Sequence, residues 1–207
     1  MRQPLARAIT LLLMMAALGG CSALAALDRA AAPQDVHELR APSDVPVARR
    51  ASRVELAVEP PATGGAINTD RILVRSGPTQ VAYLPEARWS ASAPEMLQAA
   101  MVEMLLRSNA FAFVGRRPLG VSGDLVLVTT LLDFEAVVAS EGDAASVEMT
   151  LVARLVREQD AAIRASRTFD RSVAIPDTST DAILAGYQAV SDAVLAELGQ
   201  WVIASSR

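Results

Sequence analysis

Residues 124–139 read DLVLVTTLLDFEAVVA, and this stretch decides the fold because both of its alternating faces begin largely apolar. A strand that is apolar on both faces is typical of a central strand covered on both sides. One face turns acidic at Asp133 and Glu135. A glycosidase would need such a carboxylate pair across a sugar-binding cleft, which the sequence does not otherwise supply. We therefore predict a central strand with a solvated acidic end.

The chain after this strand alternates between strand patterns and turns. Residues 141–143 (Glu-Gly-Asp) form a turn signal, and residues 147–155 alternate apolar and polar side chains. A second turn at 158–160 precedes a third strand that carries Arg164, Arg167 and Arg171. The pattern predicts a three-strand antiparallel meander. We expect the arginines to form a charged outer sheet face, with a basic stripe for lipid headgroups or a partner as the alternative.

Two helices flank the meander in the sequence. Ser92 and Glu95 have the spacing of a capping box, Pro94 suits a first helical turn, and apolar residues then recur from 97 to 105. The last helix begins between residues 178 and 180, and its apolar residues recur at steps of three and four up to Trp201. These patterns predict one mid-chain helix and one long C-terminal helix.

Shorter strand patterns precede the mid-chain helix, at residues 54–59, 70–75 and 80–84. We therefore predict an α+β fold. It consists of a mixed or antiparallel sheet with a three-strand meander, one mid-chain helix and a long C-terminal helix packed on the sheet. Residues 53–207 are predicted to form this single domain.

Composition narrows the function classes. The chain has 207 residues, one cysteine, one histidine and 19 basic residues that are all arginine, with a net charge of −4. One cysteine cannot form an intrachain disulfide, and the sequence is too poor in Cys and His for the usual zinc sites. Without lysine there is no Schiff-base or P-loop lysine, and the acidic balance disfavours nucleic-acid binding. We predict a protein that is not an enzyme and has no metal or cofactor.

The N-terminus has the organisation of a secretory signal. Arg2 and Arg7 precede an uncharged stretch at residues 8–18, followed by Gly19-Gly20-Cys21. Eleven helical residues rise only about 16 Å, roughly half the thickness of a bilayer core. Such a stretch is typical of a signal peptide rather than a spanning helix. We predict a signal peptide at residues 1–20.

Residues 18–21 (Leu-Gly-Gly-Cys) resemble a lipobox, the processing site of bacterial lipoproteins. This resemblance implies a diacylglycerol and an N-acyl chain on Cys21. The residue after the cysteine is Ser22. In similar lipoproteins an aspartate at this position favours retention at the inner membrane, so the resemblance implies sorting to the outer membrane. Residues 21–52 are predicted to be the lipidated N-terminus and a flexible tether, with local docking at Val36–Leu39 left open. His37 lies in this tether and is expected to be solvated.

The order of elements, together with particular residues, resembles the ABC-type transport auxiliary lipoprotein component family, which includes the paraquat-inducible intermembrane transport lipoprotein. The matching residues are 70–75 (DRILVR), 81–89 (VAYLPEARW), 93–97 (APEML) and 106–111 (LRSNAF), with further matches at 124–125 and 132–134. The resemblance implies a lipid-anchored protein on the periplasmic face of the outer membrane. It also implies a partner, an ABC transporter with a mammalian-cell-entry (MCE) protein, and a hydrophobic cargo.

Two neighbouring residues are candidate partner contacts. Arg88 and Trp89 directly precede the mid-chain helix, and arginine and tryptophan are enriched among residues that dominate binding energy. The alternative is that Trp89 belongs to the core and Arg88 pairs with a nearby acid. A different functional class also remains open, namely a ring-forming outer-membrane lipoprotein or assembly factor whose sheet edges form a homo-oligomer.

Overall fold

The computed structural model describes residues 34–45, 47–48, 50–117, 123–138 and 145–207 of the chain. Residues Val36–Arg207 form one compact unit, and of the other unit, Met1–Asp35, only residues 34 and 35 are described. The described residues form nine strands and two helices. In chain order these are β1 (Asp35–His37), β2 (Glu55–Val58), β3 (Ala62–Thr63), β4 (Arg71–Arg75), β5 (Val81–Trp89), α1 (Ala93–Arg107), β6 (Phe113–Arg116), β7 (Leu125–Val138), β8 (Ala145–Arg157), β9 (Ile163–Ile175) and α2 (Thr180–Ser205).

Strand β7 is the centre of one mixed sheet. Along one edge it pairs antiparallel with β8, which in turn pairs antiparallel with β9. Along its other edge it pairs in parallel with β2, then β3, then β4. Strand β5 is antiparallel to β4, β6 is parallel to β2, and β1 lies beside β5. The predicted central strand, the meander and the α+β class are confirmed.

Both helices pack on the sheet and share one hydrophobic core. From β7, Leu127 and Phe134 are buried in this core, together with Met101 of α1 and Val194 of α2. The carboxylate of Glu95 accepts hydrogen bonds from the Ser92 main-chain N–H (3.2 Å) and hydroxyl (2.9 Å), so the predicted capping box starts α1. The C-terminal helix is likewise packed against β8 and β9, as the apolar spacing predicts.

Strand β5 is longer than predicted. The sequence pattern predicts a strand at residues 80–84, whereas β5 continues through Pro85 to Trp89. Proline lacks a donor N–H, so within sheets it is tolerated at edges and irregularities. The β4–β5 register shifts between Arg71 and Leu73, whose partners in β5 are Arg88 and Tyr83, so Pro85 lies within this irregularity.

At the acidic end of β7, Glu135 is not solvated as predicted, whereas Asp133 is half-buried. Glu135 is only 5% exposed, and its two carboxylate oxygens accept hydrogen bonds from Nε (2.6 Å) and Nη2 (2.7 Å) of Arg75 in β4. This hydrogen bonding raises the pKa of Arg75 above its ordinary value. The prediction was wrong because the parallel neighbour β4, distant in sequence, brings an arginine to this position of the sheet.

Candidate functional site

The N-terminal strap, which we define as residues 36–45, lies against both helices. The main-chain carbonyl of His37 accepts a hydrogen bond from the Ser90 N–H (2.7 Å). Gln188 of α2 forms two hydrogen bonds with the main chain of Arg40. Its Oε1 accepts from the Arg40 N–H and its Nε2 donates to the Arg40 carbonyl, both at 3.0 Å. The guanidinium of Arg107 in α1 donates to the Pro42 carbonyl. The strap is therefore held at three points.

The strap contributes to the hydrophobic core. Leu39 is 7% exposed, and Ala41 and Val45 pack against the core as partly buried side chains. After the strap, the Ala48 N–H donates to the Ser108 carbonyl and the Ser52 N–H to the Ala110 carbonyl, both at 2.8 Å. The local docking left open at Val36–Leu39 is observed, and it extends much further. The predicted start of the folded domain at residue 53 is therefore too late.

His37 is not the solvated histidine that the tether prediction implies. Its Nε2 atom is buried and has no hydrogen-bond partner among the described residues. A cavity of about 370 Å³ adjoins it, lined by strap residues together with Trp89, Leu184 and Gln188. The main-chain contact of His37 holds β1 beside β5, so the described role of this residue is structural.

Trp89 lies in the core rather than on a contact surface. Its side chain is 2% exposed and its ring meets Tyr187 edge-on, with ring centroids 5.3 Å apart. Phe134 of β7 stacks on Trp89 at 6.5 Å and completes a three-ring cluster with Tyr187. The hypothesis that Trp89 contacts a partner directly is wrong, because a buried side chain offers no surface to a second protein.

Tyr187 fastens α2 to the sheet at this cluster. Its hydroxyl donates a hydrogen bond of 2.6 Å to the Leu73 carbonyl in β4, and its side chain is fully buried. Burial raises the pKa of the Tyr187 phenol well above its ordinary value, because the anion would be desolvated. Tyr187 is therefore a neutral structural donor at neutral pH.

Arg88 is half-exposed and paired. Its Nη1 lies 3.3 Å from Oδ2 of Asp70, and its side chain keeps 39% of its surface exposed. The same nitrogen also donates to the Trp89 carbonyl at 3.4 Å. The alternative predicted from the sequence, that Arg88 pairs with a nearby acid, is therefore observed. Arg88 remains a predicted partner contact, since its guanidinium is accessible.

The three arginines of β9 turn towards α2 instead of forming the predicted outer charged face. Arg171 Nη2 lies 2.5 Å from Oε1 of Glu197, and Arg167 Nη2 lies 3.7 Å from its Oε2. Arg164 donates to the main-chain oxygen of Arg207, just beyond α2. The alternation of side chains along β9 places Arg167, Phe169 and Arg171 on the helix side, and Arg164 lies within the register shift between Ile163 and Ala165.

Two further findings concern metal binding and membrane-spanning helices in the described residues. They contain no group of three or more His, Cys, Asp or Glu side chains that could hold a metal ion. Within the same residues, no helix is long and apolar enough to cross a membrane. Cys21, the predicted lipidation site, lies outside the described residues, as does the predicted signal peptide at 1–20.

The architecture defines a class: an α+β domain with a nine-stranded mixed sheet, two helices in one core and an N-terminal strap across the helices. The sequence matches the family model described as ABC-type transport auxiliary lipoprotein component over residues 37–199. The chain belongs to this family. The matched region begins in the strap and ends in α2, so it contains nearly the whole described domain.

Solved structures share this fold. A Xanthomonas campestris protein is 25% identical to the chain, with a TM-score of 0.74, and the match covers 84% of this chain and 97% of that one. An uncharacterized protein is 14% identical, with a TM-score of 0.60 and coverage of 83% and 99%, which shows the fold alone. No curated protein matches the sequence.

Sequence reasoning missed the strap and its clamp, Gln188. Leu39 and Val45 are isolated apolar residues among proline and charged residues, and they follow neither strand nor helix periodicity. Gln188 lies on α2. The apolar spacing of this helix predicts the face that packs on the sheet, but it does not predict that a polar residue outside that face binds the strap. The only signal was the short apolar-containing stretch at residues 36–39.

Replacing Gln188 with alanine tests whether this side chain holds the strap. The substitution removes two hydrogen bonds to Arg40, each of which contributes about 1 kcal/mol. We expect faster amide hydrogen exchange in residues 36–42, with little change in the central strands. Gln80→Ala in the exposed turn before β5 is the matched control. Equal exchange in the strap of both variants would contradict the role of Gln188.

Proposed function

We propose that this protein is a non-enzymatic docking component of an ABC-type intermembrane lipid transport system. The observation that carries the proposal is membership of the transport auxiliary lipoprotein family over residues 37–199. Family membership supports a membrane-associated, periplasm-facing lipoprotein that works with an ABC transporter. The finer parts of the proposal are an anchor on Cys21, the outer membrane as its location, and an MCE-type periplasmic protein as the partner.

The side-chain environment supports a role without catalysis. Glu135 is engaged by both donors of Arg75, and the Tyr187 hydroxyl is bound to a main-chain carbonyl in the core. A general acid or base has to reach a substrate from an accessible cleft. These buried groups instead fasten strands and a helix to one another, as expected of a rigid binding domain.

The strap gives the proposed anchor a short reach. The strap is hydrogen-bonded to the rest of the domain from His37 onwards, so about 15 residues connect Cys21 to the folded domain. Covalent geometry limits a connection of this length to about 50 Å when fully extended. The predicted tether up to residue 52 would allow roughly twice that reach. A domain held this close to its membrane would meet its partner at the membrane end of the transport path.

Binding to the periplasmic part of an MCE protein from the same genome tests the proposal. We expect the full-length chain, purified in detergent, to retain the MCE protein on an affinity column. Arg88→Ala should weaken retention if this exposed guanidinium contributes to the interface, whereas Arg53→Ala provides an exposed control. Failure of the folded wild-type chain to bind any MCE protein of its genome would contradict the proposed partner.

A further inference from the structure

Strand β9 has a long unpaired edge. All thirteen residues from Ile163 to Ile175 lie in the strand, which pairs on one side with β8. In the described part of the chain, no strand pairs with its other side. Main-chain N–H and C=O groups of alternate residues therefore face outward without a sheet partner. The strand contains neither proline nor glycine, and the one register shift in its ladder with β8 lies at its start, between Ile163 and Ala165.

The other sheet edges are shorter or contain proline. Strand β1 has three residues and β6 has four, and the nine-residue β5, whose outer side pairs with the short β1, contains Pro85. An added strand gains affinity mainly from main-chain hydrogen bonds, so its binding increases with the length of the edge. Among the described strands, β9 is therefore the edge best suited to strand addition.

Charge along β9 selects the kind of strand that fits. Strand β9 carries three arginines and one acidic residue, Asp170. The arginines lie towards α2, where the carboxylate of Glu197 forms ion pairs with both Arg167 and Arg171. Two guanidinium groups thus share one carboxylate. Acidic side chains on an incoming strand would lie beside these arginines and supply the missing negative charge, as cross-strand pairs of opposite charge do.

Pairing of β9 with the same strand of a second copy fits this edge less well. Antiparallel pairing of β9 with itself over its full length places Arg167 of one copy opposite Arg171 of the other, and this happens twice. Like charges directly opposite each other destabilise a strand pair. The edge is consequently matched to a different, acidic strand rather than to itself.

We propose that the outer edge of β9 binds an extended acidic segment of a partner protein by β-strand addition. The proposal rests on the docking role proposed above and deepens it by assigning a surface and a partner chemistry. Main-chain hydrogen bonds along the edge provide the affinity, and Arg167 and Arg171 provide the selectivity for acidic residues.

Hydrogen exchange with defined peptides tests the proposal. The full-length chain in detergent is mixed with a ten-residue peptide of alternating valine and glutamate, or with its valine–lysine counterpart. We expect the acidic peptide to slow exchange of alternate amides in residues 163–175 by about tenfold or more, with no effect from the basic peptide. An acidic peptide with a central proline should bind more weakly, because proline removes a main-chain donor.

Substitution of the arginines separates charge selection from folding. The double variant Arg167→Gln and Arg171→Gln should bind the acidic peptide about tenfold more weakly. Arg116→Gln, an exposed arginine on the short edge strand β6, should bind like wild type. Denaturant midpoints of both variants establish that they fold. Equal binding by the folded double variant would overturn the role assigned to the two arginines.

Each other outcome is decisive. Absence of protection in β9, or protection only elsewhere, overturns the proposal. Protection of β9 that depends on protein concentration without peptide would identify a second copy as the occupant and overturn it as well. Protection by the acidic peptide, combined with no binding to MCE proteins, would support strand addition while contradicting the proposed function.

Discussion

Replacing Trp89 with alanine is expected to lower the free energy of unfolding by about 3–5 kcal/mol, the usual cost of deleting a large buried aromatic side chain. Trp89 is 2% exposed and contacts the rings of Tyr187 and Phe134. Its loss leaves a cavity where α2, β5 and β7 meet, and a packed core closes such a cavity only in part. Chemical denaturation, followed by circular dichroism, measures the change.

The neighbouring residue provides a matched control for Trp89. Arg88 pairs with Asp70 at the surface, and exposed ion pairs contribute about 1 kcal/mol or less. Arg88→Ala should therefore leave the denaturation midpoint almost unchanged. Trp89→Phe should fall between the two variants, because it keeps a ring in the cluster. If the Trp89→Ala protein were as stable as wild type, Trp89 would not be a core residue, and the hypothesis that it contacts a partner would stand again.

Replacing Cys21 with serine is expected to move the protein from the membrane fraction to the soluble periplasmic fraction. Serine lacks the thiol that would carry the diacylglycerol, and each buried CH₂ of an acyl chain contributes about 0.8 kcal/mol to membrane binding. Within the described part of the chain, no helix is long and apolar enough to span a membrane in its place. Fractionation of cells and mass spectrometry of residues 21 onward measure the change.

Ser22→Asp is the matched control for the Cys21 substitution. This variant keeps the acylated cysteine and should stay in the membrane fraction. If Ser22 directs the protein to the outer membrane, the aspartate variant should move to the inner membrane. Undiminished membrane association of Cys21→Ser in cells would contradict the predicted anchor, whichever membrane the control reaches.

Much of the fold follows from patterns that are local in the sequence. Apolar residues on both faces of 124–139 predicted the central strand, because only a strand covered on both sides buries both faces. Ser92 and Glu95 predicted the start of α1, because a helix leaves its first N–H groups without partners and these residues satisfy them. Residues close together in the chain carry all of this information.

Features that depend on distant residues were missed or predicted wrongly. Glu135 meets Arg75, and Arg40 meets Gln188, although these partners are far apart in the chain. The spacing of residues in the sequence does not predict these long-range pairs, because each member is an ordinary polar residue in its own segment. The candidate contact surface changed for the same reason, because the burial of Trp89 depends on rings contributed by β7 and α2.

The sequence by itself determined the class of this protein: an α+β domain behind a predicted lipoprotein signal, with the residues of a transport auxiliary family. The tertiary structure alone decided which surfaces are available. It buried Trp89, packed residues 36–45 on the helices and, among the described strands, left β9 with the longest unpaired edge. Secondary structure follows from neighbours in the chain, whereas exposure depends on which distant segments cover a residue.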